Sequence, residues 1–157
     1  SLMEGQFRVN GVNHTFSFAA DETLLDVLRR HGFTDVHCGC REGSCGACAV
    51  LLDKKLVNSC LVFAATSIGQ EIVTVSGLGT RDAPHPIQQA FVDCGAVQCG
   101  FCTPGMILAT YALLSDNPNP TDEDIIRALD GNQCRCTGYV KIIEAVKQAA
   151  RRLDRHE

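Results

Sequence analysis

The chain has no tryptophan and only two tyrosines, absences that exclude nothing. Others exclude more. Fourteen basic residues stand against eighteen acidic ones, for a net charge of −4. There is therefore no basic surplus to organise binding to nucleic acid or to an anionic membrane. No apolar run approaches the ~20 residues of a membrane-spanning helix. No basic segment leads into an apolar one at the N-terminus, so no export leader is expected, and Ser1-Leu2 ahead of Met3 reads as an artificial extension left by expression and is set aside. Neither a dinucleotide-type glycine motif nor a nucleophile constellation occurs. The 157 residues suffice for one ordinary domain or two small ones, and 45% hydrophobic against 20% charged residues supports a packed core.

What the chain has in excess is cysteine, ten in all. Disulfides suit small secreted domains, which does not fit a chain without a leader. These cysteines also bunch in short loops, where Cys45 and Cys48 are better placed to share a metal than to staple distant segments. Metal ligation in a reducing, cytoplasmic compartment is the expectation.

Read in order, Phe7–Val9 and Thr15–Phe18 are β-prone runs around Asn10-Gly11, a strong hairpin signal. Leu24, Leu25, Val27 and Leu28 give a helical face, with acidic residues before it and Gly32 after it. Residues 37–48 form an aperiodic loop rich in Gly and Cys. Ala49–Leu52 and Leu56-Val57 read as paired strands, Cys60–Ala65 as a short helix and Glu71–Ser76 as a further strand. Residues 77–86 (GLGTRDAPHP) read as a linker. Beyond it the pattern is helical. One helix covers Ile87–Gly95, and a second opens with Thr103 as N-cap and Pro104 at its first position and stops before Pro118. A third is capped by the Thr121/Asp124 box, and a fourth covers Tyr139–Arg152 with Val140, Ile143, Val146 and Ala150 at core spacing. The expectation is an α+β protein: residues 3–76 as a small mixed domain, 77–86 as linker and 87–157 as a helical domain.

Cys40-x4-Cys45-x2-Cys48, with Cys60 after an eleven-residue gap, matches the plant-type [2Fe–2S] spacing. A loop must wrap one side of the cluster and offer several thiolates while a separate segment supplies the last. Gly39, Gly43 and Gly46 let the backbone come close. Structural zinc prefers two paired-cysteine knuckles, so spacing favours the cluster here. Cys99-x2-Cys102 with Cys134-x-Cys136, 31 residues apart, is less decisive. On spacing alone it accommodates either a cluster or zinc.

The stretches CREGSCGAC at 40–48, Cys60, QCGFCTPGM at 98–106 and GNQCRCTGY at 131–139 carry a resemblance that spans essentially the whole chain. In them the sequence resembles the iron–sulfur subunit of the molybdenum hydroxylase (xanthine oxidase) family. The resemblance implies an N-terminal β-grasp, ferredoxin-like domain followed by a C-terminal four-helix bundle. It implies that Cys40, Cys45, Cys48 and Cys60 hold a [2Fe–2S] cluster near FAD. Cys99, Cys102, Cys134 and Cys136 would hold a second near molybdopterin, with Gln98 and Cys136 against the pterin. Molybdopterin and FAD would belong to a large and a medium partner subunit. Electrons would pass from molybdenum through both clusters to FAD. The substrate would be a purine, another N-heterocycle or an aldehyde, hydroxylated with oxygen from water, in an enzyme of the bacterial three-subunit xanthine or nicotinate dehydrogenase type. The chain departs from the family pattern at Ala49, where Thr is common, at Asp53-Lys54-Lys55, where Asp-Gly is frequent, and at Cys38. None of these removes a ligand.

Cys38 and Cys94 fall outside both sets and read as packing cysteines. His37 beside the loop lacks the Cys-x-His pairs of a Rieske centre. His14, His31, His85 and His156 read as surface residues. Arg41 reads as a solvated charge, whereas Arg135 either does the same or steadies an anionic cluster or a partner. Two alternatives stand beside the subunit reading. One is a free-standing two-cluster ferredoxin, which would have no use for Gln98 and Tyr139; the other is a zinc-binding module, which metal analysis decides. If a molybdenum subunit docks on the helical domain, an exposed apolar patch is expected there.

Overall fold

The structure, a computed structural model, describes residues 2–37, 47–79, 82–96, 103–129 and 139–155. Strands β1 (Met3–Val9) and β2 (Val12–Phe18) form an antiparallel hairpin with Val9 opposite Val12. The two-residue turn Asn10-Gly11 has positive φ at both positions, the I′ geometry whose twist matches that of the strands. Helix α1 (Leu24–Arg30) is capped by Thr23, whose hydroxyl accepts from Asp26 N at 3.2 Å. It buries Leu24, Leu25, Val27 and Leu28, the face expected from their spacing. A second hairpin joins β3 (Ala49–Leu52) to β4 (Lys55–Asn58) through Asp53-Lys54, again with both φ values positive.

β5 (Glu71–Val73) lies between the hairpins, parallel to β1 and antiparallel to β3, which gives the order β2-β1-β5-β3-β4. Only three residues long, β5 is secured by the first residue of each hairpin turn. Asn10 donates its N–H to Ile72 O at 2.8 Å, and its side-chain amide makes two 2.9 Å bonds to Thr74. Asp53 donates its N–H to Glu71 O and accepts from Glu71 N, each at 2.8 Å. The capture of Thr74 by Asn10 ends the strand, and Val75–Gly77 turn into 3₁₀ geometry, so the strand expected to reach Ser76 stops at Val73. The short helix expected at Cys60–Ala65 is two 3₁₀ turns, Ser59–Leu61 and Ala64–Ser67.

Helices α2 (Pro86–Asp93), α3 (Thr103–Asp116), α4 (Asp122–Leu129) and α5 (Tyr139–Arg155) follow. The Thr121/Asp124 box forms as expected, with reciprocal bonds of 3.2 and 3.0 Å. The side chain of Thr103 lies outside the described residues. α2 packs on α5, and α3 on α4. α3 also lies against β3 and β4, which explains why Ala49 and Leu51 are as buried as Val50 although alternation turns them to the opposite face.

Two cores result. One gathers Phe7, Phe18, Leu25, Val50 and Ile72 between sheet and α1, and the other gathers Phe91, Met106, Ile125, Leu129 and Ile142 among the helices. The fold is α+β, a mixed sheet followed by helices. In α5 the buried face is Ile142, Ala145, Val146 and Ala149, with Ile143 and Ala150 at its margin. Val140 is 77% exposed, contrary to expectation, because it stands two residues from Ile142 on the far side of the helix. His14, His31 and His85 are half-buried rather than surface residues. His31 stacks on Phe16 at 4.2 Å, and His85 caps α2.

Candidate metal centres

The β3–β4 register brings the last two members of the first cysteine set to one end of a hairpin. Ala49 stands opposite Asn58, which leaves Cys48 opposite Ser59, with Cys60 next in the 3₁₀ turn. The Cys48 carbonyl accepts twice from Ser59, from its N–H at 3.2 Å and its hydroxyl at 2.7 Å. Ser59 is fully buried, so its hydroxyl is satisfied by this bond rather than by water. The Cys60 segment is held against α1 by Leu24 N donating to Val62 O at 2.7 Å and Ala64 N donating to Glu22 O at 3.0 Å.

The loop that carries the other two thiols is anchored at both ends. His37 N donates to Ala47 O at 3.2 Å and closes its base. Just before it, Arg29 reaches from α1 to the carbonyls of Val36 and Thr34, at 2.6 and 3.3 Å. Asp35 accepts from Ser76 N at 3.1 Å. Cys38, Cys40, Arg41 and Cys45 themselves lie outside the described residues.

The side chains of Cys48 and Cys60 are 2% and 7% exposed and pack into the sheet-side core. Buried sulfur donors from two backbone segments are two of the four that a [2Fe–2S] group requires. Among the described residues no group of three or more His, Cys, Asp or Glu is assembled.

In the helical half Gln98, Cys99, Cys102, Cys134, Arg135 and Cys136 lie outside the described residues. Their flanks do not. α2 ends on Gly95 at φ +68, with Ala96 N donating back to Phe91 O at 2.9 Å, just before the Gln98–Cys102 stretch. α3 begins directly after Cys102, and α5 begins at Tyr139, three residues after Cys136. Cys94, at the end of α2, donates to Gln148 on α5 at 2.6 Å. Burial pushes its thiol pKa up, which keeps it protonated and fits a packing role rather than a ligand. Val92, Ile126 and Val140 are exposed apolar residues on three helices of this half, and Leu61 and Phe63 are exposed just after Cys60.

Asn58 and Ser59 as supports of Cys48 could have been suspected from their place before Cys60. Arg29 bonds backbone carbonyls five and seven residues on, which no side-chain pattern marks, and Asp35 meets Ser76 N only through the fold.

Comparison with known proteins agrees with this geometry. Residues 7–71 match a family described as a 2Fe-2S iron-sulfur cluster binding domain, and residues 74–147 match a [2Fe-2S] binding domain. The nicotinate dehydrogenase small FeS subunit of Eubacterium barkeri is 46% identical over 145 residues, covering 92% of each chain. The nicotine 6-hydroxylase small subunit of Paenarthrobacter nicotinovorans is 47% identical over 148 residues, 94% of this chain and 89% of that one. The crystal structure of quinoline 2-oxidoreductase from Pseudomonas putida 86 superposes with a TM-score of 0.93 at 36% identity, covering 99% of this chain and 98% of that chain. With two cysteine sets, two matched [2Fe–2S]-binding regions and full-length relatives of this kind, the chain belongs to the family of [2Fe–2S] electron-transfer subunits of the molybdenum hydroxylases.

Proposed function

We propose that Cys40, Cys45, Cys48 and Cys60 ligate one [2Fe–2S] cluster, and Cys99, Cys102, Cys134 and Cys136 the other. The observation that carries the reading is the β3–β4 register, which brings Cys48 and Cys60 to the same end of one hairpin as buried thiols. Each bound cluster supplies a one-electron relay, and electrons pass from a molybdopterin-bearing subunit, through the helical half and then the sheet half, to a FAD-bearing subunit. This chain's residues fix the ligand segments: His37 closes the loop base, Arg29 and Asp35 hold its entry, and Ser59 locks Cys48 to the Cys60 turn. Gln98 and Cys136 face the pterin of the large subunit.

The two apolar cores support a division into residues 3–76 and 87–157 joined by 77–86. The strand order supports a β-grasp for the first, and the pairing of α2 with α5 and of α3 with α4 supports a four-helix bundle for the second. No helix among the described residues is long and apolar enough to cross a membrane, and cysteines bunched for metal ligation suit a reducing cytoplasm. The parent enzyme would hydroxylate an N-heterocycle, by likeness to the relatives that act on nicotinate and nicotine.

Iron and acid-labile sulfide per chain, with EPR of the dithionite-reduced protein, test the ligand assignment. About four of each with two distinct signals is the expected result. About two of each with one signal would remove the second site, and zinc without iron would overturn the reading.

A further inference from the structure

Cys48 Sγ lies 4.0 Å from the side-chain amide oxygen of Asn58. The contact is built into the hairpin. Asn58 ends β4 directly opposite Ala49, and both bonds from Ser59 hold the Cys48 backbone in register with it. The backbone positions of Cys48 and Asn58 are thereby fixed relative to each other.

A thiol at Cys48 donates its proton toward Asn58 Oδ1. A cluster ligand is a thiolate, with no proton to donate and a negative sulfur that a carbonyl oxygen would repel. An amide has oxygen at one end and two N–H donors at the other, nearly identical in size, and a half-turn of the side chain exchanges them. We infer that, with the cluster bound, Asn58 presents its Nδ2–H to the sulfur of Cys48 and raises the reduction potential of the sheet-half cluster. Reduction adds an electron to an already anionic centre, so a donor aimed at a ligand sulfur stabilises the reduced form more than the oxidised one. Cys48 is almost fully buried, and the low local dielectric strengthens that preference. Asn58 thus acts as a positioning residue that tunes the step toward FAD. The inference rests on Cys48 being a ligand, as proposed above.

The test is an EPR-monitored redox titration of the full chain carrying both clusters, as wild type, Asn58→Asp and Asn58→Leu. Asn58→Asp keeps the shape but replaces the donor with a carboxylate. It is expected to raise the oxidised-to-reduced ratio of the sheet-half cluster about tenfold at the wild-type midpoint, a fall of about 59 mV for one electron. Asn58→Leu, which removes the donor without adding charge, is expected to give about a threefold change in the same direction. The helical-half signal should keep its midpoint in both. Unmoved midpoints with full iron content, equal shifts of both signals, or loss of iron from both variants would each overturn the inference. Cys48→Ser separates it from the ligand assignment. A sheet-half signal unchanged in that variant sinks the assignment itself, whereas its loss there beside unmoved midpoints in the Asn58 variants sinks only the tuning role.

Discussion

In the sheet half, the first residues of two hairpin turns, Asn10 and Asp53, reach a strand some twenty to sixty positions away and bond to its backbone. In the helical half the comparable bonds are mostly local. His85 and Gln88 cap α2 and Thr121 and Asp124 cap α4, while the longer-range bond from Arg152 to Asp93 at 2.6 Å ties α5 to α2. The sheet half therefore sets Cys48 and Cys60 through strand register, whereas what the described residues of the helical half fix is where its helices end and begin. A slip of one residue in β3–β4 would turn Cys48 to the other face. A helix end can fray without moving the rest of its helix. Register is the less forgiving of the two devices, and the bonds from Ser59 to Cys48 stand where that slip would start.

The largest effect expected from this contrast is on the clusters. Cys60→Ser should remove the sheet-half EPR signal and spare the other, while Cys136→Ser should do the reverse and slow reduction of flavin by substrate. Loss of both signals in either variant would mean that the halves do not hold their clusters separately. Next comes the helical core. Phe91→Ala empties a fully buried site and should cost about 3–5 kcal/mol. Chemical denaturation followed by α-helical circular dichroism and by the sheet-half signal should then give two separated transitions. Coincident ones would show that α3, packed on β3 and β4, couples the cores.

A smaller effect is expected in mild acid. His85 accepts from Ile87 N at 3.1 Å through Nδ1, and burial holds its pKa below the ordinary imidazole value. The fold thus favours the neutral ring. Its contribution is complete above the ordinary imidazole range near pH ~6.5 and declines as pH falls through that range toward the depressed value. His85→Asn keeps a capping acceptor that does not titrate. Thermal melts at about pH 7.5 and 5.5 should converge in that variant, and an unchanged difference would exclude His85 as its source. Glu22, lowered chiefly by its bond from Arg30, and Asp124, lowered by the Thr121 backbone, lose their contributions only at lower pH, as carboxylates protonate. The smallest effect is local to the turn. Lys54 sits at φ +71, where a side chain is strained. Lys54→Gly should relieve the strain by ~1 kcal/mol, partly offset by the greater entropy of unfolded glycine, for a net gain of about 0.5 kcal/mol in denaturant melts.

Local signals proved readable because their physics is local. Asn10-Gly11 made its I′ turn, the Thr121 box its cap, and the face of α1 the one its spacing implied. Where the reading missed, a distant partner decided. Asn10 cut short the strand at 71–76, and the packing of α2 against α5 selected Ile142 over Val140. The cysteine spacing alone favoured a [2Fe–2S] set over zinc at the first site, because ligand geometry restricts how a loop can wrap a cluster. It said nothing of Arg29, Asp35, Asn58 or Ser59, which act on the ligand segments through space. The sequence by itself determined the turns, the caps and the residue types able to bind iron, all set by neighbours within a few positions. Only the tertiary structure decided that β5 joins the hairpins, that α3 covers the second face of β3, and that Cys48 and Cys60 share one hairpin end. Those outcomes depend on pairing and burial between segments far apart in the chain, which no local preference encodes.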